Sequence, residues 1–128
     1  MDVHVEPDLP EVRLDPEAMK QALANLVDNA IKYSDERRRL GVTARRVGNE
    51  VCIVVSDEGV GIPAREQDRI FEKFYRIGRS ETQGRRGSGV GLALVKHIVA
   101  AHGGRVTVES RPGEGSQFAL HLPLPGNR

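Results

Sequence analysis

The feature that most narrows the fold of this chain is the dipeptide Gly48-Asn49, set between two runs that favour β-structure, Arg39 to Val47 and Glu50 to Ser56. A two-residue turn of this composition joins neighbouring strands antiparallel, so a hairpin is expected near the middle of the sequence. A closing strand pair is expected around Pro112-Gly113, with Arg105 to Ser110 before it and Gln117 to Leu122 after it. Asp2 to Glu6 alternates polar and apolar residues and ends at Pro7, which reads as a short edge strand, and Val12 to Leu14 reads as another. Helical patterns fill the spaces between. Asp15 stands where an N-cap belongs and Pro16 at the first helical position, opening a long pattern from Glu17 to about Ser34. A second, Val90 to about His102, is stopped by Gly103-Gly104, and a short helix is expected over Arg65 to Phe71. The stretch from Arg76 to Gly87 is dense in Gly, Arg, Ser and Thr with almost nothing apolar to anchor it, and reads as a mobile loop. At 128 residues these elements fit one domain.

Composition removes several classes of function. Nineteen basic against eighteen acidic residues leave a net charge of +1, so charge proposes neither nucleic acid nor an anionic membrane as a partner. The sequence contains no apolar run long enough to cross a bilayer. The single cysteine, Cys52, has Val51, Ile53, Val54 and Val55 as neighbours and reads as a small buried core residue in a reducing compartment.

Chemistry concentrates in three places. In the first long helix, "QALANLVDNAIKYS", Leu23, Leu26, Val27, Ala30 and Ile31 gather on one side at 100° per residue, while Asn25, Asn29, Lys32 and Tyr33 share an arc on the other. Any amphipathic helix shows water a polar stripe. Asparagine, however, is a poor residue for a helix interior, because its amide competes for backbone hydrogen bonds, and two of them one turn apart need a reason. An amide oxygen suits Mg²⁺, Lys32 suits phosphate oxygens, and Tyr33 offers a flat face to a base.

The second place is "SDEGVGIP", directly after an apolar strand. Asp57 at the strand end can accept a hydrogen bond from an amino group, and Gly59 and Gly61 let the backbone approach a flat ligand; a plain turn would also explain the pattern. The third is "GRRGSGVGLAL", where Gly87, Gly89 and Gly91 lead into a helix and expose backbone N–H groups at the positive end of its dipole, an arrangement that cradles phosphate. It is neither a Walker loop nor a good dinucleotide fingerprint, since no Gly-Lys-Ser/Thr follows and no strand leads directly into it. Arg85 and Arg86 add positive charge nearby.

In order, these segments resemble the boxes of sensor histidine kinases of two-component systems: "NLVDNAIKYS", "DEGVGIP", "FEKFYR", "GSGVGLAL" and "GEGSQF", spread from Val12 to Pro123. The resemblance implies the ATP-binding catalytic domain and the Bergerat fold shared with gyrase B, the MutL proteins and a major heat-shock chaperone. That fold is an α/β (α+β) two-layer sandwich, a mixed, largely antiparallel sheet of about five strands under three helices, with a mobile ATP lid. It further implies ATP and Mg²⁺ as cofactors, with Asn29 on the metal, Asn25 beside it on the phosphates or metal shell, and Lys32 on the phosphates. Tyr33 would flank the adenine and Asp57 would take its amino hydrogen bond. Gly59 and Gly61 would shape the pocket beside Ile62, and Ser116 would help through a bridging water. Phe71 and Phe74 would anchor the hinge of the lid, with Arg76 beside them. Gly87, Ser88, Gly89, Val90, Gly91 and the backbone of Leu92 would meet the phosphates. Ser88 and Val90 stand where Thr and Leu are common in the family.

In the ATP-hydrolysing relatives a glutamate precedes the magnesium asparagine by one turn and activates water, whereas the matching residue here is Asn25. An amide cannot take that proton, so the resemblance implies transfer to a better nucleophile, a neutral imidazole, with little turnover by the isolated chain. None of His4, His97, His102 and His121 stands in a His-Glu/Asp-x-x-x-Pro context like the family's phosphoacceptor helix. His4 and His121 read as strand residues, and His97 and His102 as helix surface or charge complement at a helix C-terminus. The expected partners are therefore dimerisation and phosphoacceptor helices upstream of this chain, forming a dimer in a longer protein, and a response regulator receiver domain. This part would be cytoplasmic, with no nucleic acid and no membrane contact.

Overall fold

The computed structural model describes residues 2–9, 14–32, 40–58, 61–62, 64–67, 69–72, 91–111 and 113–124. Five strands form one sheet in the order β1-β2-β3-β5-β4, with β1 Asp2–Val5, β2 Leu40–Val47, β3 Glu50–Asp57, β4 Arg105–Arg111 and β5 Gly115–Pro123. The edge strand β1 runs parallel to β2, and every other pair is antiparallel, so the sheet is mixed and largely antiparallel as expected. Val12 to Leu14 lies outside the described residues except for Leu14, which is in no strand.

Local signals in the sequence act as anticipated. In the β2–β3 turn Gly48 takes φ 59° and Asn49 does not share the positive sign, the pattern of a type II′ turn that matches strand twist. Helix α1, Pro16–Lys32, is capped by Asp15, whose Oδ1 accepts from the N–H groups of Glu17 at 3.0 Å and Ala18 at 3.2 Å. Helix α3, Gly91–Ala101, ends in a Schellman motif: Gly104 N–H donates to Val99 O at 3.0 Å, Gly103 N–H to Ala100 O at 2.9 Å, and Gly103 takes φ 76°. Helix α2 is shorter than the expected Arg65–Phe71, spanning Ala64–Gln67. Beyond it the chain turns, with Glu72 N–H donating to Arg69 O, because Ile70 is drawn into the core and Phe71 stands edge-on to Phe118 with centroids 6.1 Å apart. Such a pair adds about 1 kcal/mol beyond area burial.

The core lies between the helices and one face of the sheet. Met19, Ala22, Leu26 and Ala30 of α1, together with Val95, Ile98 and Val99 of α3, cover Val55, Phe118, Leu120 and Leu122. Each fully buried Leu or Phe contributes about 2 kcal/mol. The inward stripe of α1 is turned relative to the expected one: Leu23 and Val27 are only partly buried, and Asn25 and Asn29 lie half-buried at its margin rather than on the far side. Packing of α1 against α3 brings that margin inward.

His102 does more than sit on a helix surface. Its Nε2 accepts from Asp15 N–H at 2.9 Å and its Nδ1 lies 2.7 Å from Ile98 O, so the ring is a neutral Nδ1–H tautomer that ties the end of α3 to the start of α1. Cys52 is buried, but the register places it opposite Arg45 and His121 on the sheet face away from the helices. Burial raises its thiol pKa, which keeps it protonated and unreactive.

On the same open face His121 Nε2 lies 3.0 Å from Thr107 Oγ1 and Nδ1 lies 3.7 Å from Glu50, which also pairs with Arg105 at 2.6 Å. Burial first, then Arg105, lower the pKa of His121, against the pull of Glu50. The unfolded chain therefore takes up this proton first as pH falls, so stability is level above about 6.5 and declines as pH drops from there toward the folded value. His121→Gln is expected to flatten that decline, measured by urea unfolding between pH 7.5 and 5; an unchanged slope would remove His121 as its cause.

Candidate functional site

Because β5 inserts between β3 and β4, the end of β3 lies beside the start of β5 and the end of β4. In register, Asp57 stands opposite Ser116, and Ser116 opposite Ser110, a polar row ending the face whose inner rows are Val55, Phe118 and Val108. Asp57 is 9% exposed and Ser116 7%, a carboxylate and a hydroxyl held at the lip of an apolar core. Gly115 sets that proximity. It has φ 100°, and a Cβ on it would come 2.1 Å from the backbone carbonyl oxygen of Asp57, so no larger residue lets β5 begin so close to the end of β3.

The segment after Asp57 is fastened through both backbone groups of Ile62. Gly61 takes φ 78°, and Ile62 after it is 5% exposed. Ile62 N–H donates to Ser110 Oγ at 2.7 Å, while Gln67 Nε2 donates to Ile62 O at 2.8 Å and to Ser110 O at 3.0 Å. Ser110 Oγ also donates to Gly115 O at 2.9 Å and lies 2.8 Å from Ser116 Oγ. Ser110, Gln67 and Gly115 were not read as site residues from the sequence. A signal for Ser110 existed: it occupies an inward position of a strand whose other inward residues are Val106 and Val108.

Across the core, Asn25 and Asn29 sit one turn apart on α1, and Asn25 Nδ2 reaches Gly91 O at 3.5 Å. The first asparagine thus faces the start of α3, where Gly91 opens the helix and Leu92 packs on the core. Lys32 ends α1, three residues beyond Asn29. Phe71 holds the segment after α2 against Phe118. Tyr33, Gly59, Phe74, Arg76, Gly87, Ser88, Gly89 and Val90 lie outside the described residues, as do the Lys32 side chain, Arg85, Arg86 and the expected mobile loop.

A cavity of 680 Å³ opens at the same end of the sheet, lined among the described residues by strand and turn residues such as Leu40, Ser56, Asp57, Ser116 and Gln117. Its lining takes in residues of both sheet faces, Leu40, Asp57 and Ser116 from the face toward the helices and Ser56 and Gln117 from the open one. No group of His, Cys, Asp and Glu among the described residues could hold a metal ion on its own. Nor is any described helix long and apolar enough to cross a membrane.

The family profile described as "Histidine kinase-, DNA gyrase B-, and HSP90-like ATPase" matches residues 14–126. The sensor-like histidine kinase SenX3 of Mycobacterium bovis is 43% identical over 125 residues, covering 95% of this chain and 30% of its own length. Among solved structures, the mycobacterial sensor histidine kinase MprB superposes with a TM-score of 0.83 at 34% identity, covering 95% of this chain and 81% of that one. Full-length ShkA in complex with AMPPNP gives 0.82 at 32% identity, covering 95% of this chain and 25% of that one. The chain therefore spans less than a third of the length of the curated relatives it matches.

Proposed function

Because the chain belongs to the histidine kinase-, DNA gyrase B- and HSP90-like ATPase family, we propose that it binds Mg-ATP between α1, the Asp57 end of β3 and the start of α3. It then supplies the γ-phosphoryl group to a histidine on a separate dimerisation and phosphoacceptor domain. The observation that carries this reading is the buried Asp57 carboxylate in register with Ser116, on the sheet face that α1 covers with Asn25 and Asn29 at its margin. A carboxylate at the lip of a core selects a planar donor, the 6-amino group of a purine, and the apolar surroundings suit the flat ring. The AMPPNP complex of ShkA supports a nucleoside triphosphate as the ligand.

The donor set suits magnesium bound through phosphate. Asn29 is half-buried and its amide oxygen is a hard neutral donor that would hold Mg²⁺ carried in on the phosphates. Bound there, the ion would neutralise charge on the phosphates. Asn25 directs its amide N–H to Gly91 O and has no basic group to draw a proton from water. The protein's part is thus to hold the purine at Asp57 and Ser116 and aim the triphosphate along α1 toward the first turn of α3. Phosphoryl transfer is mostly a matter of position and charge, so docking of an imidazole nucleophile supplies the rest. The site would work in the cytoplasm, and the phosphohistidine would pass its group to a response regulator receiver domain.

Purified chain titrated with Mg-ATP should bind it while showing negligible steady-state hydrolysis. Adding the helical phosphoacceptor part of the parent kinase should produce label that is acid-labile and stable to alkali, as a phosphoimidazole is. Rapid hydrolysis without that partner would favour an ATPase clamp, and no binding would remove the nucleotide reading.

A further inference from the structure

Resting on the ATP reading and going beyond it, we propose that Ser110 determines base specificity by fixing the direction of the Ser116 hydroxyl. Ser110 Oγ has one proton and two lone pairs. Gly115 O, at 2.9 Å, can only accept, so the proton goes there. Ile62 N–H, at 2.7 Å, fills one lone pair. The remaining contact, Ser116 Oγ at 2.8 Å, then has Ser116 as the donor. Ser110 is saturated, and Ser116 is left with lone pairs and no proton to offer a ligand.

The consequence is a purine-end subsite that presents acceptors from both side chains of the row. Asp57 accepts when ionised, and Ser116 accepts because its proton is engaged by Ser110. A 6-amino purine brings N–H groups to such a row, directly or through a water. A 6-oxo purine brings a carbonyl oxygen, and two acceptors facing each other without a proton between them leave a buried polar group unsatisfied. Ser110 touches no ligand in this scheme. It is a positioning residue whose hydroxyl also fastens the Ile62 loop, and Gln67 shares only that second task.

The test compares ATP with inosine triphosphate, which differs at the purine 6-position and in the N1 proton. Wild-type chain is expected to prefer ATP, and Ser110→Ala, by releasing the Ser116 proton toward the pocket, to narrow that preference by about tenfold. Ser110→Thr keeps the hydroxyl and should restore the wild-type ratio. Gln67→Met loosens the loop without altering the Ser116 proton, and should weaken both nucleotides alike with the ratio intact. Should the alanine variant not fold, Ser110→Cys, a poor acceptor of similar size, bears the same prediction. A folded Ser110→Ala or Ser110→Cys variant with the wild-type ratio overturns the proposal, and so does a Gln67→Met variant whose ratio narrows as much. Wild-type chain that binds neither nucleotide overturns the ATP reading itself, an outcome seen before any variant is made.

Discussion

Asp57→Ala is expected to reduce affinity for ATP by about a hundredfold, since it removes a charge-assisted hydrogen bond at a largely buried carboxylate. The residue stands at the end of β3, 9% exposed, pressed by the backbone of Gly115 and flanked in register by Leu40 and Ser116. Its truncation leaves a purine amino group buried against apolar atoms, which costs more than the bond alone was contributing. Asp57→Asn keeps the shape but turns one acceptor into a donor that faces the amino group, so it should fail nearly as badly while folding normally. Calorimetric titration of both variants checks this. If either binds ATP within threefold of wild type, the purine does not sit on Asp57.

The second large effect is expected at Asn29. Asn29→Ala should leave ATP affinity measured without magnesium close to wild type, yet lower the rate of transfer to the phosphoacceptor part by about a thousandfold, as loss of a preorganised charge-stabilising contact does. The position on α1 makes this separation possible. Asn29 is half-buried at the margin of the helix's inward stripe, one turn from Asn25, on a different element from the Asp57–Ser116–Ser110 row. Raising magnesium should recover part of the lost rate if metal affinity is what falls. A variant with unimpaired transfer, or one equally weakened with and without the metal, would remove Asn29 from the magnesium site.

What the sequence disclosed was mostly what short-range chemistry decides. The Gly48-Asn49 turn, the Asp15 cap with Pro16 behind it and the Gly103-Gly104 stop each involve neighbours a few residues apart, and each appears as anticipated. Asp57 and Ser116 were legible through the resemblance, and the register brings them together. The parts missed depend on which elements meet. The run from Val51 to Val55 is apolar on both faces, so nothing in it told which side the helices cover, and Cys52 fell on the open face. The inward stripe of α1 shifted toward the asparagines because α3 packs beside them, a contact across 66 positions of sequence. Ser110 and Gln67 acquire meaning only once β4 and α2 flank the Ile62 loop.

The placement of β5 between β3 and β4 has a consequence for biosynthesis. The carboxylate that would recognise the base emerges from the ribosome some sixty residues before the hydroxyl and the glycine beside it, Asp57 long before Gly115 and Ser116. Until β5 slots into the gap, nothing bridges β3 to β4 and the recognition end has no floor. A nascent or C-terminally clipped chain can therefore form the early hairpin and first helix yet remain blind to nucleotide. ATP would act as a ligand of the finished domain alone, stabilising completed molecules by mass action and leaving unfinished ones exposed to proteolysis.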